Sequence, residues 1–135
     1  MWFAFSGEVY DCSHMKQPNI IKDKSFLFAI EIIDLSKLLM ANKEYVLSKQ
    51  VLRSGTAIGA LVREAEHAES KRDFIHKLSI SPKESNETDY WLTLLKHTGY
   101  IQSERFLLLE EKNIELRKLL IRIIKTSKER LYQTK

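Results

Sequence analysis

The sequence has little of what marks several large protein classes. Its 135 residues contain one cysteine, Cys12, so no disulfide can form within the chain, and a reducing compartment is expected. No apolar run approaches the roughly 18 to 20 residues that a membrane-spanning helix needs. The first eight residues lack the basic segment of a secretory signal. We therefore expect a cytoplasmic protein with no membrane partner.

Signatures of catalysis are also missing. The chain has no Gly-x-Ser-x-Gly motif, no phosphate-binding loop and no zinc-ligand spacing. Two motifs resemble the metal-binding pairs of di-iron bundles, Glu64 to His67 and Asp73 to His76. The carboxylates that such a site also needs from the other two helices lie at poorly matched levels, at Glu31 or Asp34 and at Glu129. We expect no enzymatic activity, no metal and no cofactor.

Apolar residues recur with helical spacing along four segments, and no segment carries a strand signal. The predicted helices run from about 24 to 41, 45 to 68, 71 to 98, and 104 into the 120s. The pattern of the first rests on Phe26, Ala29, Ile30, Ile33 and Leu38. Ser70 and Ser103 are predicted N-caps and Gly99 a helix-ending glycine. Short connections predict an all-α, antiparallel up-down-up-down four-helix bundle over residues 20–135. Residues 1–19 are expected to be an N-terminal extension, either disordered or upstream of a start at Met15.

The second and third helices carry small or hydroxylic residues where apolar bulk is usual. The stripe of the second is Leu47, Val51, Gly55, Ile58, Val62 and Ala65, and that of the third is Phe74, Leu78, Ser81, Ser85, Thr88, Leu92 and Leu95. Gly55 and Gly59 share a helical face, which indicates close approach of a neighbouring helix. We expect that neighbour to be the third helix, bent but not broken at Pro82.

The fourth helix has two apolar faces. Leu109, Leu116, Leu119, Leu120, Ile123 and Ile124 are predicted to face the bundle. Leu107, Ile114 and Ile121 recur every seven residues on another side, and this row predicts an oligomer interface, against the alternative of singly exposed apolar residues.

Basic charge is concentrated at the end of the chain. Residues 112–135 contain eight Lys and Arg and two Glu, a net charge of +6, larger than the +4 of the whole chain. We expect a nucleic-acid-binding surface formed by Lys112, Lys118, Arg122, Lys125 and Lys128. The alternative is a solvated helix end whose lysines interact favourably with the negative end of the helix dipole.

The second and third helices carry an ordered series of motif residues: Arg53-Ser54-Gly55, Ile58-Gly59-Ala60, Glu64-Ala65, Ser70, Asp73-Phe74, Lys77-Leu78, Lys83-Glu84, Glu87-Thr88 and Tyr90-Trp91-Leu92. Through these residues, positions 20–125 resemble the bacterial four-helix-bundle family first known from 23S rRNA intervening sequences, a group that includes the accessory variability proteins of diversity-generating retroelements. Leu61 and Pro82 depart from the family pattern. The resemblance implies a four-helix bundle that assembles into a ring-like homo-oligomer, commonly a pentamer, with no established enzymatic activity.

Several residues of this motif are predicted to be structural or interface residues. They are Arg53, Gly55, Gly59, Glu64, Lys83, Glu84, Glu87, Tyr90 and Trp91. The charged ones near the small-residue region are expected to be solvated charges or an ion-pair network, or alternatively a binding surface for a partner.

Two function classes remain open at this point. One is a non-catalytic oligomeric protein that associates with RNA or DNA through its basic surface. The other is a protein-interaction scaffold, for example for a reverse transcriptase, with no direct role in nucleic-acid binding.

Overall fold

A computed structural model describes residues 2–5, 8–11 and 19–133, with side chains from residue 19 onward. Four helices dominate: α1 (Ile20–Ala41), α2 (Val46–Glu66), α3 (Lys71–His97) and α4 (Ser103–Gln133). They follow a hairpin of β1 (Trp2–Phe5) and β2 (Glu8–Asp11), which pair in antiparallel register. Four-residue strands are too short for periodicity to reveal them. Cys12 and the expected start at Met15 lie outside the described residues.

The helices pack in chain order, α1 on α2, α2 on α3 and α3 on α4, and α4 returns along α1 over a shorter seam. The connections between them are only four or five residues long, so consecutive helices run antiparallel. This confirms the all-α four-helix bundle. Two boundaries differ from the prediction: α1 begins four residues earlier, and Ser103 is the first residue of α4 rather than its N-cap.

The predicted cap of α3 is present, with one change of partner. Ser70 Oγ accepts a hydrogen bond from the Asp73 backbone N–H at 3.0 Å. The Asp73 carboxylate reaches back to the Glu69 N–H at 3.1 Å, one residue before the position that a capping box uses. Local side chains therefore satisfy one donor in the first turn of α3, the Asp73 N–H, and one just before the helix, the Glu69 N–H, which fixes where the helix begins.

The ends of α1 and α3 share one turn geometry. At Gly99 (φ 82°) the N–H groups of Gly99 and Tyr100 donate to the carbonyls of Lys96 and Leu95, a Schellman motif. The same pair of bonds closes α1, but its left-handed residue is Lys43 (φ 64°). A side chain at this conformation is strained, because its Cβ crowds the backbone.

The core follows the stripes predicted for α2 and α3. Of the third helix's predicted stripe, all residues are buried except Phe74, which is partly buried against the core. In α4, three of the six residues predicted to face the bundle are buried and three pack against the core from its edge. Helix α3 continues through Pro82 without interruption, which confirms one helix rather than two.

For α1, the apolar residues that predicted the helix are not the ones that it buries. Its buried apolar residues are Ile21, Leu27, Phe28, Ile32, Leu35 and Leu39, whereas Phe26, Ile33 and Leu38 are exposed. Apolar residues occupy both sides of this helix, so their spacing indicates a helix but does not show which side faces the core.

Among residues 19–133, eight polar side chains are buried within an otherwise apolar bundle, and each of them has a hydrogen-bond partner. Ser85 Oγ donates to Asn113 Oδ1 at 2.7 Å, and Asn113 Nδ2 donates to the Ser85 carbonyl at 2.9 Å. Ser81 Oγ donates to the Ile58 carbonyl at 3.1 Å. The full set, named here the polar interior, is Ser25, Ser36, Ser48, Ser54, Ser81, Ser85, Thr88 and Asn113.

The predicted partner of the two glycines was wrong: they pack against α1, not α3. A Cβ placed on Gly55 would lie 2.8 Å from the Ile32 side chain, and one on Gly59 would lie 3.3 Å from Ser25 Oγ and 3.4 Å from the Ser25 backbone. Glycine therefore permits close approach of α2 to α1. The Ser81 and Thr88 hydroxyl groups of α3 instead meet α2 on another side, as in the 2.9 Å contact of Thr88 with Ser54.

Candidate nucleic-acid and protein interface

The basic residues of α4 form an exposed stripe. Lys118, Arg122, Lys125 and Lys128 are all exposed, and their spacings of four, three and three residues keep them on one side of the helix. That side lies opposite the buried residues Leu109, Leu116 and Leu120. Because ten residues of helix span about 15 Å, the stripe presents four positive charges along that length.

Charge divides α4 into two halves. From 116 to 133 the helix carries six Lys and Arg and one Glu, a net charge of +5, whereas 103–115 carries two Lys and Arg and four Glu, a net charge of −2. The positive potential therefore belongs to the C-terminal half alone.

Lys112 does not belong to the stripe. Its ammonium group donates to Glu31 Oε1 of α1 at 2.6 Å, in a half-buried position at the seam between α1 and α4. The other carboxylate oxygen, Glu31 Oε2, is buried without a hydrogen-bond partner. Lys112 is thus already engaged within the bundle, and the prediction that it contributes to a nucleic-acid surface is not supported by its position.

The predicted oligomer row lies on the same outer side of α4 as the basic stripe. Leu107 and Ile121 are 57% and 53% exposed, and Ile114 between them is partly exposed. Lys118 lies between Ile114 and Ile121 along this side. A shallow groove follows it, lined by Leu107, Glu110, Glu111, Ile114, Glu115 and Lys118. The two surfaces predicted from the sequence are therefore neighbours on one face, the first centred on the N-terminal half and the second on the C-terminal half.

The structure brings four of the motif residues together between α2 and α3. Arg53 forms ion pairs with Glu84, at 3.1 Å, and with Glu87, and Trp91 Nε1 donates to Glu87 at 3.2 Å. Trp91 also packs against the core. Because the Arg53 side chain is half exposed, the pairs are solvated and hold α2 to α3 only weakly. This matches the ion-pair network among the alternatives considered from the sequence.

The remaining motif residues do not join this cluster. Glu64, Lys83 and Tyr90 are exposed, and the Tyr90 ring lies beside that of its neighbour Trp91, with centroids 5.2 Å apart and planes inclined by 60°. His67 and His76 are also exposed. Within the described residues no group of three His, Cys, Asp or Glu side chains is placed to hold a metal ion.

The sequence interpretation missed one exposed feature. Phe26, Ile33 and Met40 of α1 recur every seven residues and are 47%, 38% and 51% exposed. The signal was present, because Phe26 and Ile33 contributed to the predicted helix. The spacing alone does not show which side of α1 faces away from the core.

A family model described as 23S rRNA-intervening sequence protein matches residues 17–122. The chain belongs to this family. It is also similar to a crystal structure from Bacteroides thetaiotaomicron, described as a protein of unknown function from the S23 ribosomal protein family. The two sequences are 54% identical, the alignment covers 78% of this chain and 99% of the other, and the TM-score is 0.77.

Membership of the family confirms the resemblance of the motif residues to the 23S rRNA intervening-sequence proteins, and neither description names a reaction. No curated protein matches the chain. Across the part of the chain that the structure describes, no helix is long and apolar enough to cross a membrane.

Proposed function

We propose that the protein is a non-catalytic, self-associating bundle that binds RNA or DNA through the basic stripe of α4. The observation that carries the proposal is the exposed row of Lys118, Arg122, Lys125 and Lys128, within a helical half of net charge +5. Phosphate groups are the ligands that such a surface recognises, because neutralising them releases condensed counterions.

The stripe favours binding with little sequence preference. It consists of flexible Lys and Arg side chains on the solvent side of one helix, with no acidic residue among them between 118 and 128. Reading base edges requires side chains fixed by their surroundings in a groove-filling element. Here the contacts go to the backbone, so affinity depends on charge and on salt more than on sequence.

The test is a salt series. Fluorescence anisotropy with a labelled single-stranded polynucleotide gives the slope of log affinity against log salt, for the parent and for Lys118→Gln/Arg122→Gln/Lys125→Gln. Loss of three phosphate contacts should flatten the slope by roughly 2 to 3, at about 0.7 to 0.9 per contact.

A matched variant removes the same charge elsewhere. Lys43→Gln/Lys49→Gln/Lys83→Gln replaces three exposed lysines outside α4. It should keep the parent's slope, because it keeps the stripe. Both variants must retain the parent's helicity and mass in light scattering. Equal slopes for the two variants, or no binding by the parent at low salt, would rule the proposal out.

The second function is a scaffold for a protein partner, such as a reverse transcriptase. The observation that favours it is the exposed apolar row of Leu107, Ile114 and Ile121, because surface rows of this kind mark protein contacts. Under this alternative, Ile114→Lys abolishes partner binding while the neutralised stripe leaves it unchanged.

A further inference from the structure

A small groove lies at the end of the basic stripe, between the start of α3 and the last turns of α4. It is named here the terminal groove, and it is lined by Arg72, Ile75, Lys128, Leu131 and Tyr132. Its volume is about 360 Å³, and cavities that bind small molecules begin at roughly 300 Å³. The sequence alone does not predict this groove, because its two walls come from segments that are far apart in the chain.

The terminal groove has an apolar floor and a basic rim. Ile75 is 8% exposed and Leu131 is partly exposed, whereas Tyr132 is 68% exposed. Arg72 and Lys128 are exposed cations, one on each of the two helices that form the walls. The described lining residues include no carboxylate. The ligand that fits this combination is a flat, largely apolar group that carries a negative charge beside it.

Tyr132 extends the basic stripe of α4. It follows Lys128, the last residue of the stripe, by four positions. Its ring therefore lies on the same side of the helix, about 6 Å farther along the axis. A polyanion that follows the stripe thus arrives at the tyrosine and at the terminal groove. Proteins commonly hold unpaired bases with an aromatic ring beside phosphate-binding cations, because every base has a face that can stack.

We propose that the terminal groove holds an unpaired base, so that the basic stripe takes single-stranded RNA or DNA. This rests on the proposed function, since it names the form of nucleic acid that the stripe binds. The base stacks on the Tyr132 ring above Ile75 and Leu131. The phosphates on its two sides contact Lys128 of α4 and Arg72 of α3.

Base pairing determines which nucleic acids can use the terminal groove. In a duplex each base is stacked between its neighbours, so the Tyr132 ring can reach a base face only after that base has been unstacked, which costs free energy. A single strand presents its bases without this cost. The stripe therefore gives affinity for any polynucleotide, and the terminal groove adds affinity only where a base is unpaired.

Fluorescence anisotropy of the full chain with three labelled probes separates the two contributions. The probes are a single-stranded DNA oligonucleotide, an abasic strand of the same length and charge, and the duplex of the first. The parent should bind the single strand roughly five- to twentyfold more tightly than the abasic strand, as expected for the stacking of one base. Tyr132→Leu should remove this difference. It should leave unchanged the salt slope and the affinities for the abasic strand and the duplex.

Two control variants make the test specific to the aromatic ring. Tyr132→Phe keeps the stacking face and should keep the parent's preference for the single strand. Tyr45→Leu removes a tyrosine that is 59% exposed just before α2, at the opposite end of the bundle from the terminal groove, and should behave as the parent does. All three substitutions are at exposed side chains, so circular dichroism and light scattering should show the helicity and mass of the parent.

Arg72→Gln tests whether α3 belongs to the site. This variant should flatten the salt slope for the single strand by about 0.7, the contribution of one phosphate contact. Lys83→Gln is the control, because it removes an exposed cation from the same helix outside the terminal groove, and it should keep the parent's slope. Equal slopes for the two variants would contradict the assignment of a phosphate contact to Arg72.

Three results would overturn the proposal. The parent could bind the abasic strand as tightly as the single strand, or Tyr132→Leu could keep the parent's preference. Labelled polyglutamate could also lose affinity in Tyr132→Leu by the same factor as the single strand, which would show that the terminal groove holds an acidic peptide. The first two results leave the salt dependence of the stripe intact, so the proposed function would stand. Absence of binding to all three nucleic-acid probes at low salt would refute both.

Discussion

The polar interior and the outer faces of α1 and α4 each reverse the usual distribution of side chains, but they do so with different consequences. Eight polar side chains are buried between the helices, and each one has a hydrogen-bond partner. The outer rows are apolar and exposed, although the Arg63 guanidinium of α2 lies over the Phe26 ring at 5.6 Å. The buried polar groups are thus satisfied by partners within the chain, whereas the apolar rows remain exposed to solvent.

The difference distinguishes residues that stabilise the bundle from residues that are available to contact another molecule. Hydrogen bonds such as that between Ser85 and Asn113 have specific geometry, so they fix the axial register of α3 against α4 more sharply than apolar packing does. Exposed apolar rows contribute nothing comparable within one copy, because their burial requires another molecule. Substitutions inside should therefore change stability, and substitutions in the rows should change association.

The largest effect is expected at Asn113, whose side chain makes two hydrogen bonds to Ser85. Asn113→Ala removes both and leaves a cavity between α3 and α4. We expect a loss of about 2 to 3 kcal/mol in the free energy of unfolding, the usual range for buried polar groups that lose a partner. Urea denaturation followed by circular dichroism measures it.

Asn86→Ala is the matched control, because Asn86 is exposed and bonds only to Arg117 at 2.9 Å. It should change the free energy of unfolding by less than about 0.5 kcal/mol. If the two alanine variants unfolded at the same urea concentration, the polar interior would not hold α3 and α4 together.

An intermediate effect is expected at Gly59, which faces the Ser25 backbone of α1. Gly59→Leu should cost roughly 1 to 3 kcal/mol, because the new side chain has no space between α1 and α2. The exposed neighbour Ala60 provides the control, since Ala60→Leu adds a larger side chain on the solvent side of the same helix. Thermal unfolding should separate the two variants by several degrees, and coincident melting curves would place Gly59 away from the contact.

Much of the fold could be predicted because α2 and α3 each carry a single stripe of apolar, small or hydroxylic residues at helical spacing. The stripe predicted for α3 includes six of the seven residues that this helix buries, and Ile75 is the one it missed. The Ser70 cap and the Gly99 turn could be predicted from the residue types alone. Caps and turns of this kind depend on residues within about four positions of each other, so the sequence shows them directly.

What could not be predicted depends on contacts between distant segments. The sequence shows that Gly55 permits close approach, but only the bundle shows that Ile32 is the residue that approaches. Likewise, Lys112 has the charge of its neighbours Lys118 and Arg122, and its pairing with Glu31 joins positions 81 residues apart. The choice of outer face in α1 is of the same kind, since both sides of that helix are apolar.

The smallest effect is expected at Lys43, where strain at the surface comes from the backbone rather than from a missing partner. Lys43 holds the left-handed position of the turn after α1, with φ 64°, which glycine adopts without steric cost. Lys43→Gly should therefore raise the free energy of unfolding by about 0.5 to 1 kcal/mol. The greater conformational entropy that glycine gives the unfolded chain offsets part of this gain. Lys49→Gly, at an exposed position inside α2, should lower it by about 1 kcal/mol, because glycine is a poor helix former. Opposite signs for two exposed lysines would show that the turn geometry decides the outcome, and a loss of stability in both would show that the left-handed turn does not persist in solution.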